Sequence, residues 1–186
     1  MNIGEVLERF ASIRKKYQKH AALAVVALLA VLFFGATIKP LVVSVIFILL
    51  AAFSTFYHNY FRSPINFELM KLFTIIESVA YGALAGVIVG VTSIILGRAL
   101  SGRLDQETVT SIFAMSAIAV LAGMFRDANI TVLGITLALA YYLILSPFIF
   151  LFRENKARTA IYIGTNLLFN AILFINIGPA VLSFVR

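Results

Sequence analysis

Tyr162, Asn166 and Asn170 recur at i, i+4 and i+8, a spacing that lines up one phenol and two amides on a single helix face. If the apolar run ending near Phe152 folds back on the run starting near Ala160, about the turn Arg153–Arg158, Asn170 falls level with Tyr141 and Asn166 falls near Ser146. Pro147 frees a backbone carbonyl at the same depth. Tyr141, Tyr142, Ser146, Tyr162, Asn166 and Asn170 are therefore the candidate ligand-binding set, a few convergent polar groups in an apolar wall. The same groups also suit hydrogen bonding between helices. Residue types alone leave both readings open.

Glu77 is the one carboxylate inside an expected apolar span. An ionisable group there is costly and needs a partner, so Arg126 and Arg62, from neighbouring loops, are the expected counter-charges. Glu77, Arg126 and Arg62 make either a structural ion pair or a proton or cation site. Ser78, Gly82, Gly86 and Gly90 repeat every four residues and form a smooth groove where a second backbone can approach closely. That groove faces either another helix of this chain or a membrane partner subunit.

Other chemistry is excluded by what the chain lacks. With no Cys there is neither a disulfide nor a thiolate metal site. Both histidines, His20 and His58, fall outside the apolar runs, and no phosphate-binding glycine loop occurs. Asp105 and Glu107, the closest acidic pair, read as the start of a helix rather than as metal ligands for headgroup chemistry. The expectation is a non-enzymatic protein with no metal and no cofactor.

The elements that hold these residues are set by lipid. Hydrophobic residues make up 62% of 186 and charged ones 12%, and the mean hydropathy is +1.02. A globular domain is nearer half apolar and a quarter charged. Crossing a hydrocarbon core of roughly 30 Å takes about 20 apolar residues. The expected fold is all-α, a polytopic integral membrane protein with six transmembrane helices at Ala21–Thr37, Leu41–Tyr57, Leu72–Gly97, Val109–Phe125, Ile130–Phe152 and Ala160–Ile177. Residues 1–20 precede them as an amphipathic interfacial helix, with Ile3, Val6, Leu7 and Phe10 on one face and Arg9, Arg14, Lys15, Lys16 and Lys19 around the rest. The net charge of +7 thus points to anionic lipid headgroups and not to nucleic acid.

Helix ends are also legible. Ser63-Pro64 predicts a helix start just ahead of the third span, with Pro64–Lys71 at the interface; Ser101-Gly102 predicts its end; Asp105, Asn129 and Asn155 are expected caps of the next three helices. Tyr57 to Arg62 reads as an aromatic belt. The basic N-terminal arm places the N-terminus in the cytoplasm, and an even span count brings the C-terminus there too.

The six-helix outline, with a third span opened by Pro64-Ile-Asn-Phe-Glu-Leu and running into Gly82-Ala-Leu-Ala-Gly-Val-Ile-Val-Gly90, resembles the substrate-binding S-components of energy-coupling-factor transporters. It is also similar to the MreD proteins that organise the cell envelope. The first resemblance implies transport: a small-molecule ligand held in the outer half of the cell membrane, with partner subunits. The second implies a structural scaffold subunit. The first span contains no Ala-x-x-x-Ala pair of the kind through which S-components dock, and the first outer loop is only about Ile38-Lys39-Pro40.

Overall fold

A computed structural model describes residues 38–56, 65–102, 104–152 and 155–186, with the backbone alone at 151–152. The expected amphipathic helix at 1–20, the first span Ala21–Thr37 and Arg62 lie outside the described residues. The chain divides into two compact units, Met1–Leu41 and Val42–Arg186. Of the first, residues 38–41 are described, as the opening turn of a helix; every contact below lies within the second.

Among the described residues there are seven helices and no strand. They are α1 (Ile38–Phe53), α2 (Met70–Tyr81), α3 (Ala83–Leu100), α4 (Gln106–Met124), α5 (Ile130–Phe152), α6 (Lys156–Asn176) and α7 (Gly178–Val185). Four of them, α3 to α6, are long and apolar enough to cross a membrane. The expected caps form. Asp105 accepts from the backbone N–H of Thr108 while Thr108 Oγ1 accepts from the backbone N–H of Asp105. Asn129 and Asn155 cap α5 and α6 through the N–H groups of Thr131 and Arg158.

The expected third span, Leu72–Gly97, is corrected. Gly82 adopts φ +102°, in the left-handed region, and breaks the run into α2 and α3, which fold back against each other as a hairpin. The small-residue row belongs to the inside of that hairpin. A Cβ added to Gly86 would strike the Ser78 side chain, and one added to Gly90 would come within 2.8 Å of Thr74 Oγ1. Ser78 and Gly86, two members of one row, thus pack on each other across the turn. Ser78, Gly86 and Gly90 face the inside of the hairpin, while Gly82 sits at its turn.

The segment expected as an interfacial helix start is corrected as well. Residues 65–69 are not helical, and Asn66 and Glu68 are buried. Side chains of neighbouring helices satisfy this backbone: Leu69 N–H donates to Ser54 Oγ at 3.0 Å and Asn66 N–H to Thr165 Oγ1 at 3.2 Å. Phe67 stacks edge-on against Phe169, ring centroids 5.1 Å apart.

The short helix α2 is the axis of the bundle. Every residue from Met70 to Val79 is buried, and α2 packs on α3, α4, α5, α6 and α7. Ile75, Ile76 and Val79 meet the apolar core that includes Val89, Met115, Ile118 and Phe174. Its neighbours shield α2 from lipid, and it alone carries buried Lys71, Thr74, Glu77 and Ser78 together. The outer helices instead turn large apolar side chains outward, with Leu84, Phe113, Val132, Leu143 and Leu168 all well exposed. An apolar exterior around a polar axis is what a hydrocarbon solvent selects.

The hairpin also sets which ends coincide. A Cβ on Gly97 would meet Met70, Thr55 and the Ala52 carbonyl, so the C-terminal ends of α1 and α3 lie on the same side of the bundle. The expected alternation had put Tyr57 and Arg98 on opposite sides. An even span count therefore no longer ties the C-terminus to the side of the N-terminus.

Two glycines separate backbone strain from space, since an added Cβ meets nothing within 4 Å at either Gly82 or Gly164. Gly164→Ala, at ordinary helical φ, should hold or raise the denaturation midpoint in detergent, because Ala is favoured over Gly in a helix by up to about 1 kcal/mol. Gly82→Ala should lower it, with a loss of stability of about 1–3 kcal/mol, the cost of forcing a side chain into a sparsely populated backbone region. Equal effects would mean that the turn does not need glycine.

Candidate functional site

Lys71, on the first turn of α2, has no solvent exposure. Its ammonium pairs with the carboxylate of Glu68, three residues earlier, and donates to Asn166 Oδ1 at 2.9 Å. It also sits over two rings of α5, 4.5 Å from the centroid of Tyr141 and 4.9 Å from that of Tyr142, and those rings meet edge to face at 5.2 Å. One carboxylate, one amide oxygen and two negative ring faces replace the water that an ammonium would otherwise keep.

Asn166 is the hub on α6. Its amide nitrogen donates to the Asn66 carbonyl at 3.4 Å, while Asn170 Nδ2 donates back to the Asn166 carbonyl at 2.9 Å and to Asn166 Oδ1 at 3.0 Å. The i, i+4 spacing of the two amides thus orients Asn166 so that its oxygen faces Lys71.

Above this cluster lies a cavity of about 250 Å³. Asn66, Glu68 and Met70 form one wall, Ile94, Gly97 and Arg98 of α3 a second, and Tyr141, Tyr142, Leu145 and Ile149 of α5 a third, with Ser111 and Tyr162 between them. At the mouth, Arg98 donates to Asp105 at 3.0 Å and to Ser111 Oγ at 3.4 Å, tying the end of α3 to the start of α4. The cavity therefore has a buried ion pair at its floor and a half-exposed one at its rim.

Of the residues expected to bind a ligand, Tyr141, Tyr142 and Tyr162 line this cavity. Asn166 and Asn170 are fully buried behind it and engaged in the hydrogen bonds above. Ser146 is half-buried and not part of its wall. Glu77 and Arg126 do not pair: Glu77 accepts the Ser44 hydroxyl of α1, whereas Arg126 is exposed on the α4–α5 turn, where its carbonyl accepts from Arg186 at 3.0 Å. Sequence reasoning placed Lys71 at the interface and passed over Glu68, Arg98 and Ser111. The signal for the first two was their i, i+3 spacing directly ahead of an apolar run; Arg98 and Ser111 gave none. Among the described residues no group of His, Cys, Asp and Glu could hold a metal ion.

Comparison with known proteins finds no family model, curated protein or solved structure that matches this chain.

A buried ion pair is costly to break from one side, about 3–5 kcal/mol, because the remaining charge stays buried and unpaired. Lys71→Met should therefore lower stability in detergent strongly. Adding Glu68→Leu to Lys71→Met should recover part of that loss, and a double-mutant cycle should show coupling of more than about 1 kcal/mol. Additive losses would show that the two groups do not depend on each other.

Proposed function

We propose that this chain is a non-enzymatic, multi-pass cell-membrane protein that holds a small polar molecule in the cavity walled by residues 66–70, α3 and α5. The observation that carries the reading is the buried non-helical segment 65–69 ahead of α2, whose Asn66 and Glu68 line that cavity. In a hydrocarbon solvent, irregular backbone is tolerated where it is buried in protein or lines a cavity. The polar wall adds to this. Arg98, Ser111 and the three tyrosines converge on one volume beside apolar Met70, Ile94, Leu145 and Ile149, the mixture that fixes orientation while excluding water.

The resemblance to S-components of energy-coupling-factor transporters fits this reading. If the Arg98 end faces outward, the cavity lies in the outer half of the bilayer, and the C-terminal end of α1, on the same side, faces outward with it, against the expected alternation. Six crossings remain the proposed count, from 21–37, α1 and α3 to α6, with α2 as an additional half-length arm. The basic arm at 1–20 rests on anionic lipid headgroups, and capture of a small molecule implies partner subunits for its onward movement.

The test is native mass spectrometry of the detergent-purified chain, with Ser101→Trp as the blocking variant. Ser101 sits at the mouth and outside the core, so the larger ring should fill the entrance without disturbing the fold. A small-molecule adduct on the parent chain and on Gly164→Ala, lost in Ser101→Trp, is the expected result. An adduct retained by the blocked variant would remove the cavity from consideration. No adduct, and no rise in thermal midpoint with a broad panel of polar metabolites, would favour the alternative, a scaffold subunit of MreD type.

A further inference from the structure

Two carboxylates belong to the same stretch of chain and meet opposite surroundings. Glu68 has the Lys71 ammonium against it. Glu77 lies seven residues beyond Met70, about 10 Å further along the axis of α2, and is equally buried. Its Oε1 accepts the Ser44 hydroxyl, and its Oε2 has no hydrogen-bond partner among the described residues.

Among the described residues no counter-charge reaches Glu77 from the elements around it. On its own helix, Lys71 is consumed by Glu68, and Tyr81 donates its phenol to the Val185 carbonyl at 2.7 Å. From α1 comes the Ser44 hydroxyl, with Lys39 exposed near the start of that helix. The facing arm α3 contributes glycines, and Arg98 at its far end is tied to Asp105. Arg126, Asp127 and Glu107 lie at or beyond the ends of α4, Lys156 and Arg158 at the start of α6, and Arg186 donates to the Arg126 carbonyl. An ionised carboxylate stripped of water and of counter-charge costs many kcal/mol, and such a group neutralises instead. A hard metal cation would ask for six or more oxygens, whereas among the described residues the Ser44 hydroxyl is the one group hydrogen-bonded to Glu77.

We propose that Glu77 is a proton-binding site of the bundle, un-ionised at neutral pH, with Oε1 as the carbonyl oxygen hydrogen-bonded to Ser44 and the proton on Oε2. The site is separate from the cavity and does not depend on a ligand there. Environments that drive two carboxyl groups apart assign their roles: Glu68 is the permanent anion, Glu77 the proton carrier.

The experiment is infrared spectroscopy of the full chain in lipid bilayers at neutral pH, as the difference between the parent and Glu77→Gln. The expected result is a carbonyl band of an un-ionised carboxyl group, present in the parent, shifted by deuterium exchange and absent from the variant. In Ser44→Ala the band should persist and move to higher frequency, because the hydrogen bond to the carbonyl is gone. Carboxylate stretching bands lost in Glu77→Gln, with no un-ionised band, would overturn the proposal. Should Glu77→Gln fail to fold, Glu77→Asp serves in its place: an un-ionised band that shifts supports the site, and carboxylate bands that shift refute it. Dicyclohexylcarbodiimide, which attacks protonated carboxyl groups in apolar surroundings, should label Glu77 and spare Glu68; labelling of Glu68 alone would again refute it.

Discussion

An ammonium group in the middle of an apolar bundle must be compensated from every side, and the packing around Lys71 follows from that demand. Its counter-ion has to come from a segment next to it, which keeps residues 65–69 inside the bundle rather than at its surface. Its remaining hydrogens need an acceptor, which fixes Asn166 and, through it, Asn170. Its solvation by ring faces places Tyr141 and Tyr142 of α5 on the same point. Three separate stretches of chain are thus held in register by one charge, and the space they leave beside Glu68 becomes the cavity.

The hairpin makes that arrangement reachable. A continuous third span would carry Lys71 to one end of the bundle and leave it near water. By turning at Gly82, the chain lays α2 alongside α3 and surrounds it with α4 to α7, so polar groups that no lipid-facing helix tolerates acquire protein neighbours. The glycines of α3 permit the close approach, and the Ser78 hydroxyl answers to its own backbone by donating to the Thr74 carbonyl at 2.8 Å.

Much of this was legible in the residues. Long apolar runs gave α4, α5 and α6 close to their observed limits, and Asp105, Asn129 and Asn155 marked the starts of those helices, because capping is a local interaction. The turn at Gly82 was not legible. Its φ is a property of the folded chain, and a glycine inside an apolar run of 26 residues reads equally well as a packing position, as the i+4 row of Ser78, Gly82, Gly86 and Gly90 suggested. Two other expectations belong with it: Lys71 at the interface, whereas it is buried, and Arg126 beside Glu77, whereas it is exposed on the α4–α5 turn. The tyrosines, placed by helical periodicity on α5 and α6, line the cavity; the amides on the same face are turned to Lys71, a residue on a segment whose position hydropathy could not supply.

The burial of α2 has a consequence for how the protein is made. A helix of 12 residues is about 18 Å long, too short to cross a core of roughly 30 Å, and Lys71 and Glu77 each disfavour its entry into lipid. The insertion machinery recognises segments one at a time, and α2 offers it little, whereas α3 to α6 are strongly apolar. The place of α2 therefore depends on its protein neighbours, the tyrosines and amides around Lys71 among them, and not on its own affinity for lipid. For this helix, membrane integration and tertiary folding are one and the same event, because Lys71 and Glu77 are sheltered only by the packed bundle.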